Sequence, residues 1–177
     1  MRKRKKAERR PGELNLAWWN SQGVSQYQID GVRQCIPDVD MVNFGEATGA
    51  QGVPADYCGA HELYYYTEPS KGDTRAGRVA TLLRPRAAAL FAGTDTVRGT
   101  GRISWTILDG GKDGRQIMPI NCYFEQQGLG LKAWRKTLWK LEKLLQEPAV
   151  QNDDMIVSTD CGVMVCAAIR RLGSATS

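Results

Sequence analysis

Leu14-Asn15-Leu16-Ala17-Trp18-Trp19-Asn20 and, one short segment later, Val39-Asp40-Met41-Val42-Asn43-Phe44-Gly45-Glu46 decide how this chain folds. Both are brief apolar runs that end on a polar residue, and runs of about four to eight apolar residues between turn formers read as buried strands. The segment between them reads as a helix from about Ser25 to Ile36. Ser25 and Gln28 have capping-box spacing, Ile29, Val32 and Ile36 share one face, and Pro37 ends the run. Strand, helix, strand opens an α/β fold, in which ligands bind outside the carboxyl ends of the strands. Asn20 and Glu46 stand at such ends, and so do Tyr123 and Asp160 further along.

Downstream, a long loop region bearing Gly and Pro from Ala47 to Gly77 is interrupted by a strand at Glu62 to Tyr66. Its Tyr64, Tyr65 and Tyr66 read as an aromatic strand packed on a core in preference to a base-stacking platform. Arg78 to Arg84 and Arg102 to Leu108 read as strands, the second alternating Ile103, Trp105 and Ile107. A turn cluster from Asp109 to Gly114 makes Gln116 to Phe124 the hairpin partner of that strand. Pro119 lacks a backbone donor, which argues for an edge or a bulge there. Leu131 to Glu147 reads as an amphipathic helix with Leu131, Trp134, Leu138, Leu141 and Leu145 on one stripe. Lys132, Arg135, Lys136, Lys140 and Lys143 populate the other side, read as a solvated face before a phosphate-binding one, and Pro148 closes the helix.

The 177 residues suffice for one domain with a sizeable core, and a 42% apolar content with five Trp and six Tyr excludes a disordered chain. Charge is concentrated at the start. Arg2, Lys3, Arg4, Lys5, Lys6, Arg9 and Arg10 face only Glu8, which exceeds the net +5 of the whole chain and leaves the remainder close to neutral. Residues 1–12 are therefore expected to form a disordered basic arm and residues 13–177 the domain. The arm has no apolar segment of a secretory signal, and no run approaches the roughly 20 apolar residues of a membrane helix. It reads either as a nuclear-localisation or nucleic-acid-tethering arm or as a solubilising terminus. The five cysteines form no Cys-x-x-Cys pair, and Cys161 and Cys166 lack zinc spacing with the lone His61 distant, so reduced intracellular thiols are expected.

Taken in chain order, Asn15 to Gly23, Asp40 to Thr48, Gly77 to Arg84, Ile120 to Phe124 and Ile156 to Gly162 resemble successive motifs of the endonuclease/exonuclease/phosphatase family. That family includes DNase I-like nucleases, abasic-site and retrotransposon endonucleases, inositol-phosphate phosphatases and sphingomyelinases. The resemblance implies an α/β fold of two packed mixed β-sheets flanked by helices, a four-layer DNase I-like sandwich. It implies Glu46 as ligand of Mg²⁺ or Mn²⁺, Asn20 orienting the site, Tyr123 contacting the phosphate and Asp160 positioning or activating the nucleophile. The implied activity is metal-dependent phosphodiester hydrolysis; the basic arm and the lack of a membrane element tilt the substrate towards nucleic acid, DNA in particular, and the setting towards an intracellular one, nuclear if the arm is a localisation signal. Two departures accompany the match. Gly162 stands where the family pattern has Asn after the Asp, and the closing Ser-Asp-His segment has no counterpart, so the fold is expected to be incomplete at its C-terminus. The expectation is a truncated or degenerate, retrotransposon-related member with weak or no activity. The alternatives are a non-catalytic nucleic-acid-associated remnant and an inositol-phosphate or lipid phosphatase.

Backbone binding of nucleic acid is driven by counterion release, so deletion of Arg2 to Arg10 is expected to weaken binding and flatten its salt dependence. Titrations of intact and arm-deleted protein against DNA across a salt series check this, with unchanged affinity and slope as the contrary result.

Overall fold

The computed structural model describes residues 13–47, 61–67, 78–97, 100–110, 116–124, 131–147 and 154–159. The first helix starts where its sequence signal lies. The Ser25 N–H donates to Gln28 Oε1 at 2.8 Å, closing the capping box, and the Ile36 N–H donates to the Val32 carbonyl at 3.0 Å ahead of Pro37. This α1 (Gln26–Cys35) joins β1 (Leu16–Asn20) to β2 (Met41–Gly45), and the two strands pair in parallel as a strand–helix–strand crossover requires. β3 (Leu63–Tyr66) and β4 (Ala80–Leu83) then add antiparallel, giving a first sheet in the order β1-β2-β4-β3.

After the single turn α2 (Pro85–Ala88), whose Pro85 stands in its first turn, β5 (Phe91–Thr96), β6 (Ile103–Leu108), β7 (Ile117–Cys122) and β8 (Asp154–Thr159) form the second sheet in that order. β6 and β7 are the antiparallel hairpin partners their patterning predicts, while α3 (Leu131–Gln146) carries the chain from β7 to a parallel β8. Both sheets are thus mixed, and the layers run α1, first sheet, second sheet, α3. Ile29 and Val32 of α1 pack on Val42, Phe44 and Leu82 of the first sheet. Leu141 and Leu144 of α3 pack on Ile103, Met118, Ile120 and Val157 of the second.

Between the sheets the alternation of β-strand side chains sets a gradient. At one end the contact is apolar, with Met41, Leu83 and Leu108 in one cluster. Towards the other end the buried side chains are polar: Asn43, Thr81, Ser104, Thr106 and Asn121. Such groups are tolerated only when bonded. Thr81 Oγ1 donates to Asn43 Oδ1 at 2.9 Å, and Tyr65 and Thr106 join their hydroxyls across the gap. Burial pushes the Tyr65 phenol above its ordinary range, with the bonds to Thr106, Thr94 and Thr81 opposing. Asn121, 1% exposed, donates from Nδ2 to the carbonyls of Phe44 at 3.3 Å and Ala80 at 2.9 Å and accepts from Trp18 Nε1 at 3.2 Å.

Two expectations need correction. Pro119 lies on neither an edge nor a bulge: β7 is flanked by β6 and β8. Its missing N–H instead coincides with a gap in the β6–β7 ladder opposite Thr106 and Ile107, while the register continues unshifted from Trp105↔Ile120 to Leu108↔Ile117. Leu131, assigned to the buried stripe of the last helix, is 71% exposed, and Thr137 and Leu144 are buried in that helix instead. β5 and α2 have no counterpart in the sequence reading. Tyr64 packs on the α1 cluster and Tyr65 on the inter-sheet one, as an aromatic strand in a core. The arm at residues 1–12 and residues 160–177 lie outside the described residues. No helix among the described residues is long and apolar enough to cross a membrane.

Asn121→Ala removes the donor to two buried carbonyls and the acceptor of Trp18, and is expected to cost about 2 to 4 kcal/mol in urea denaturation. Trp18→Phe, which forfeits one bond, should cost about 1 kcal/mol.

Candidate functional site

The carboxyl ends of β1 and β2 lie side by side, with Asn20 paired to Gly45. Beyond them the chain reverses sharply in both places. Gln22 and Gly23 have φ of 50° and 115°, and Glu46 has φ of 51°. A left-handed glutamate costs about 1 kcal/mol or more, and such strain persists only where the surroundings over-determine it. Here the surroundings are backbone bonds on both sides. The Ser21 N–H and hydroxyl donate to the Gly45 carbonyl at 3.1 and 2.8 Å, the Gly23 N–H donates to the Glu46 carbonyl at 2.7 Å, and the Ala47 N–H donates to the Arg78 carbonyl at 2.8 Å.

Tyr123 reaches this corner from the second sheet. It follows directly on β7, its N–H donates to the Arg102 carbonyl at 2.9 Å, and its hydroxyl donates to Glu46 Oε1. The Tyr123 side chain is buried, and the guanidinium of buried Arg102 stands 5.5 Å from the centre of its ring. That distance lies within cation–π range, so a fixed cation backs the ring whose hydroxyl meets a carboxylate. Gly45 makes the approach possible. A Cβ there would lie 2.5 Å from Trp18 Cζ2 and 3.1 Å from Tyr123 Cδ2.

Three of the four residues singled out in the sequence therefore gather at one end of the sandwich: Glu46 and Tyr123 in contact, Asn20 beside Gly45. The half-buried Asn20 accepts from the Gln22 N–H at 3.4 Å. Asp160 lies outside the described residues; β8 ends at Thr159, which pairs with Cys122, the residue before Tyr123. His61 is at the wrong end for acid–base chemistry with Glu46. It precedes Leu63, which pairs with Leu83, which pairs with Met41 at the start of β2, whereas Glu46 follows the last residue of β2. Arg102 and Gly45 escaped the sequence reading. The only hint of Arg102 is a charge at the head of an apolar strand. Among the described residues the Glu46 carboxylate and the Asn20 amide offer hard oxygens at this corner, and no group of three or more His, Cys, Asp or Glu able to hold a metal forms among them.

Neither a protein-family model nor a curated protein matches the sequence. Solved structures do match. An endonuclease/exonuclease/phosphatase from Bacteroides vulgatus superposes over 85% of this chain and 66% of its own, with a TM-score of 0.59 and 17% identity. The APE2 catalytic domain of Xenopus laevis aligns over 82% of this chain and 57% of its own, with a TM-score of 0.57 and 13% identity. TDP2 of D. rerio, complexed with single strand DNA product, aligns over 85% and 61%, with a TM-score of 0.57 and 12% identity. The chain has the endonuclease/exonuclease/phosphatase, DNase I-like fold, and it spans between 57% and 66% of the length of these three structures.

Gly45→Ala forces its new methyl group into the Trp18 ring. It is expected to destabilise the domain by about 1 to 3 kcal/mol, the usual cost of overpacking. Thermal melts of Gly45→Ala and of the double variant with Trp18→Leu check this, the second substitution recovering part of the loss.

Proposed function

We propose that the corner formed by Asn20, Glu46 and Tyr123, together with Asp160, is a metal-assisted phosphodiester-binding site for nucleic acid. The observation that carries this reading is the bond between the Tyr123 hydroxyl and Glu46, which joins the exits of β2 and β7, one from each sheet. A strained, half-buried carboxylate braced by backbone bonds on either side is built to present oxygen in a set direction.

Mg²⁺ suits this donor set. It binds through one or two carboxylates and keeps several waters, so Glu46 with the Asn20 amide nearby fits it better than a transition metal needing three or four protein ligands. When bound, the ion would shield phosphate charge, acidify a water and stabilise a leaving alkoxide. The chain's own residues hold and orient. Glu46 carries the ligand oxygen, Tyr123 contacts the phosphate from a ring fixed by Arg102 and Gly45, Asn20 holds the β1 exit against the site, and Asp160 positions the attacking water. Nucleic acid as partner is supported by the basic residues 2–10 and by neighbours of the same fold named as an APE2 catalytic domain, an AP endonuclease and a TDP2 bound to single strand DNA product. The organisation proposed with it is a basic arm over residues 1–12, of the kind that directs proteins to nuclei, ahead of a domain over residues 13–177.

A second reading, nucleic-acid binding with little turnover, is favoured by the placement of His61. General-base catalysis typically contributes about 10²- to 10⁴-fold, and these 177 residues bring no histidine to the Glu46 end of the sheet.

Millimolar Mg²⁺ or Mn²⁺ is expected to raise the melting temperature through binding to the folded state, by about 2.7 kcal/mol of stabilisation at a hundredfold excess over Kd, and Glu46→Gln should abolish the shift. A wild-type melt insensitive to both metals would sink the metal assignment. Nicking of plasmid or abasic DNA is expected close to background. Robust metal-dependent nicking lost in both Glu46→Ala and Asp160→Ala would place the missing base on a second subunit.

A further inference from the structure

The solvent face of α3 has a tryptophan at its centre. Trp139 is 52% exposed, with Arg135 and Lys136 one turn before it and Glu142 and Lys143 one turn after, all of them exposed. Lys143 Nζ lies 4.1 Å from the centre of the Trp139 ring. An amphipathic helix normally turns its aromatics inward, and this one already has Trp134, Leu138, Leu141 and Leu144 on its sheet.

Trp139 also walls a groove of about 430 Å³ between α3 and the β5 side of the second sheet, within the ligand-pocket range of about 300 to 1,000 Å³. Val97, Trp105 and Leu144 reach it from the packed layer beneath. Lys140 and Lys143 line it opposite in charge to Asp95 and Glu147, so the lining itself is balanced and is no anion pocket. The cationic excess lies on the exposed helix face, where Lys132, Arg135 and Lys136, with Lys143 at the groove's rim, face Glu142 as the one acidic residue of that face among the described residues. Burial first, and the neighbouring Lys136 second, lower the Lys140 ammonium below the usual lysine range, as expected at the edge of a positive field.

We infer that this face binds single-stranded nucleic acid: an unpaired base enters the groove against Trp139, and the flanking phosphates lie along Lys132, Arg135, Lys136 and Lys143. An aromatic platform beside a cationic track is the arrangement that takes single strands without regard to sequence, and a duplex keeps its bases stacked and cannot fill the groove. An anionic membrane is the poorer match, because only Leu131 and Trp139 are large exposed apolar groups on α3, too few for interfacial burial. The site is separate from the Glu46 corner and stands whether or not metal binds there.

The test is fluorescence anisotropy of the full chain with a labelled oligothymidylate in the presence of EDTA. Trp139→Ala is expected to raise Kd about tenfold, Trp139→Tyr to restore most of the affinity, and Lys136→Gln with Lys143→Gln to reduce the salt slope by about 1.4, at about 0.7 per phosphate contact. The melting curve of Trp139→Ala in EDTA should match that of wild type, which verifies folding, and the oligonucleotide Kd measured in EDTA separates failure here from failure of the metal site. An oligonucleotide Kd in Trp139→Ala within twofold of wild type would overturn the inference. So would equal losses for duplex and single strand, or loss of binding to phosphatidylserine vesicles with the oligonucleotide Kd unchanged, which would assign the face to a membrane surface.

Discussion

The side chain of Asn121 sets the spacing on which the rest of the structure depends. From the next-to-last position of β7 it bonds two carbonyls on neighbouring strands of the opposite sheet and the indole of Trp18 on a third. A purely apolar interface could slide by an ångström with little loss, because hydrophobic attraction is non-directional. Three hydrogen bonds to one amide leave no such freedom. The polar end of the inter-sheet layer, which looks like a defect in a hydrophobic core, is the part that gives the two sheets a single alignment.

Alignment of the sheets places the site. Glu46 hangs from the end of the first sheet and Tyr123 from the end of the second, so their contact exists only if the sheets are held in register. Gly45, with no Cβ, lets Trp18 and Tyr123 close over the β2 backbone, and Arg102 braces the Tyr123 ring from behind. A similar lock operates at the far end. The buried Glu62 carboxylate receives Arg33 of α1 at 2.7 Å and Arg84 at 3.5 Å, which ties helix, β3 and the exit of β4 together. Glu62 in turn raises the Arg33 guanidinium above its ordinary value. Buried charges persist only when paired in this way.

The strands of the first sheet, α1 with its capping box, the β6–β7 hairpin and α3 were legible because each rests on local chemistry: period-2 or period-3.6 patterning, a Ser-x-x-Gln cap, a Gly-rich turn. β5 was not legible. Phe91-Ala92-Gly93-Thr94-Asp95-Thr96 has no apolar/polar alternation, with Phe91 its one large apolar residue, and exists as a strand because β6 offers it an edge, with an irregularity near Gly93. Pro119 misled for the complementary reason. A missing donor need not push a strand to the edge when the ladder can skip bonds there and keep register. Leu131 stood at the right period for the buried stripe of α3, yet it is the first residue of the helix and is left exposed there.

Read alone, the sequence determined the order of the elements other than α2 and β5 and the set of polar residues at strand ends, because hydrophobic periodicity and turn chemistry act over a few residues and need no knowledge of the rest of the chain. Its motifs in order were enough to point to the DNase I-like fold. What only the tertiary structure decided are relations between residues far apart in the chain: that Tyr123 meets Glu46, that Arg102 backs the Tyr123 ring, that His61 sits at the opposite end of the sheet from Glu46, and that Trp139 stands outward beside a groove. Each depends on which strand pairs with which, in what register and direction. Those choices are made by long-range hydrogen bonds and packing, and a single strand's side-chain pattern is compatible with many of them.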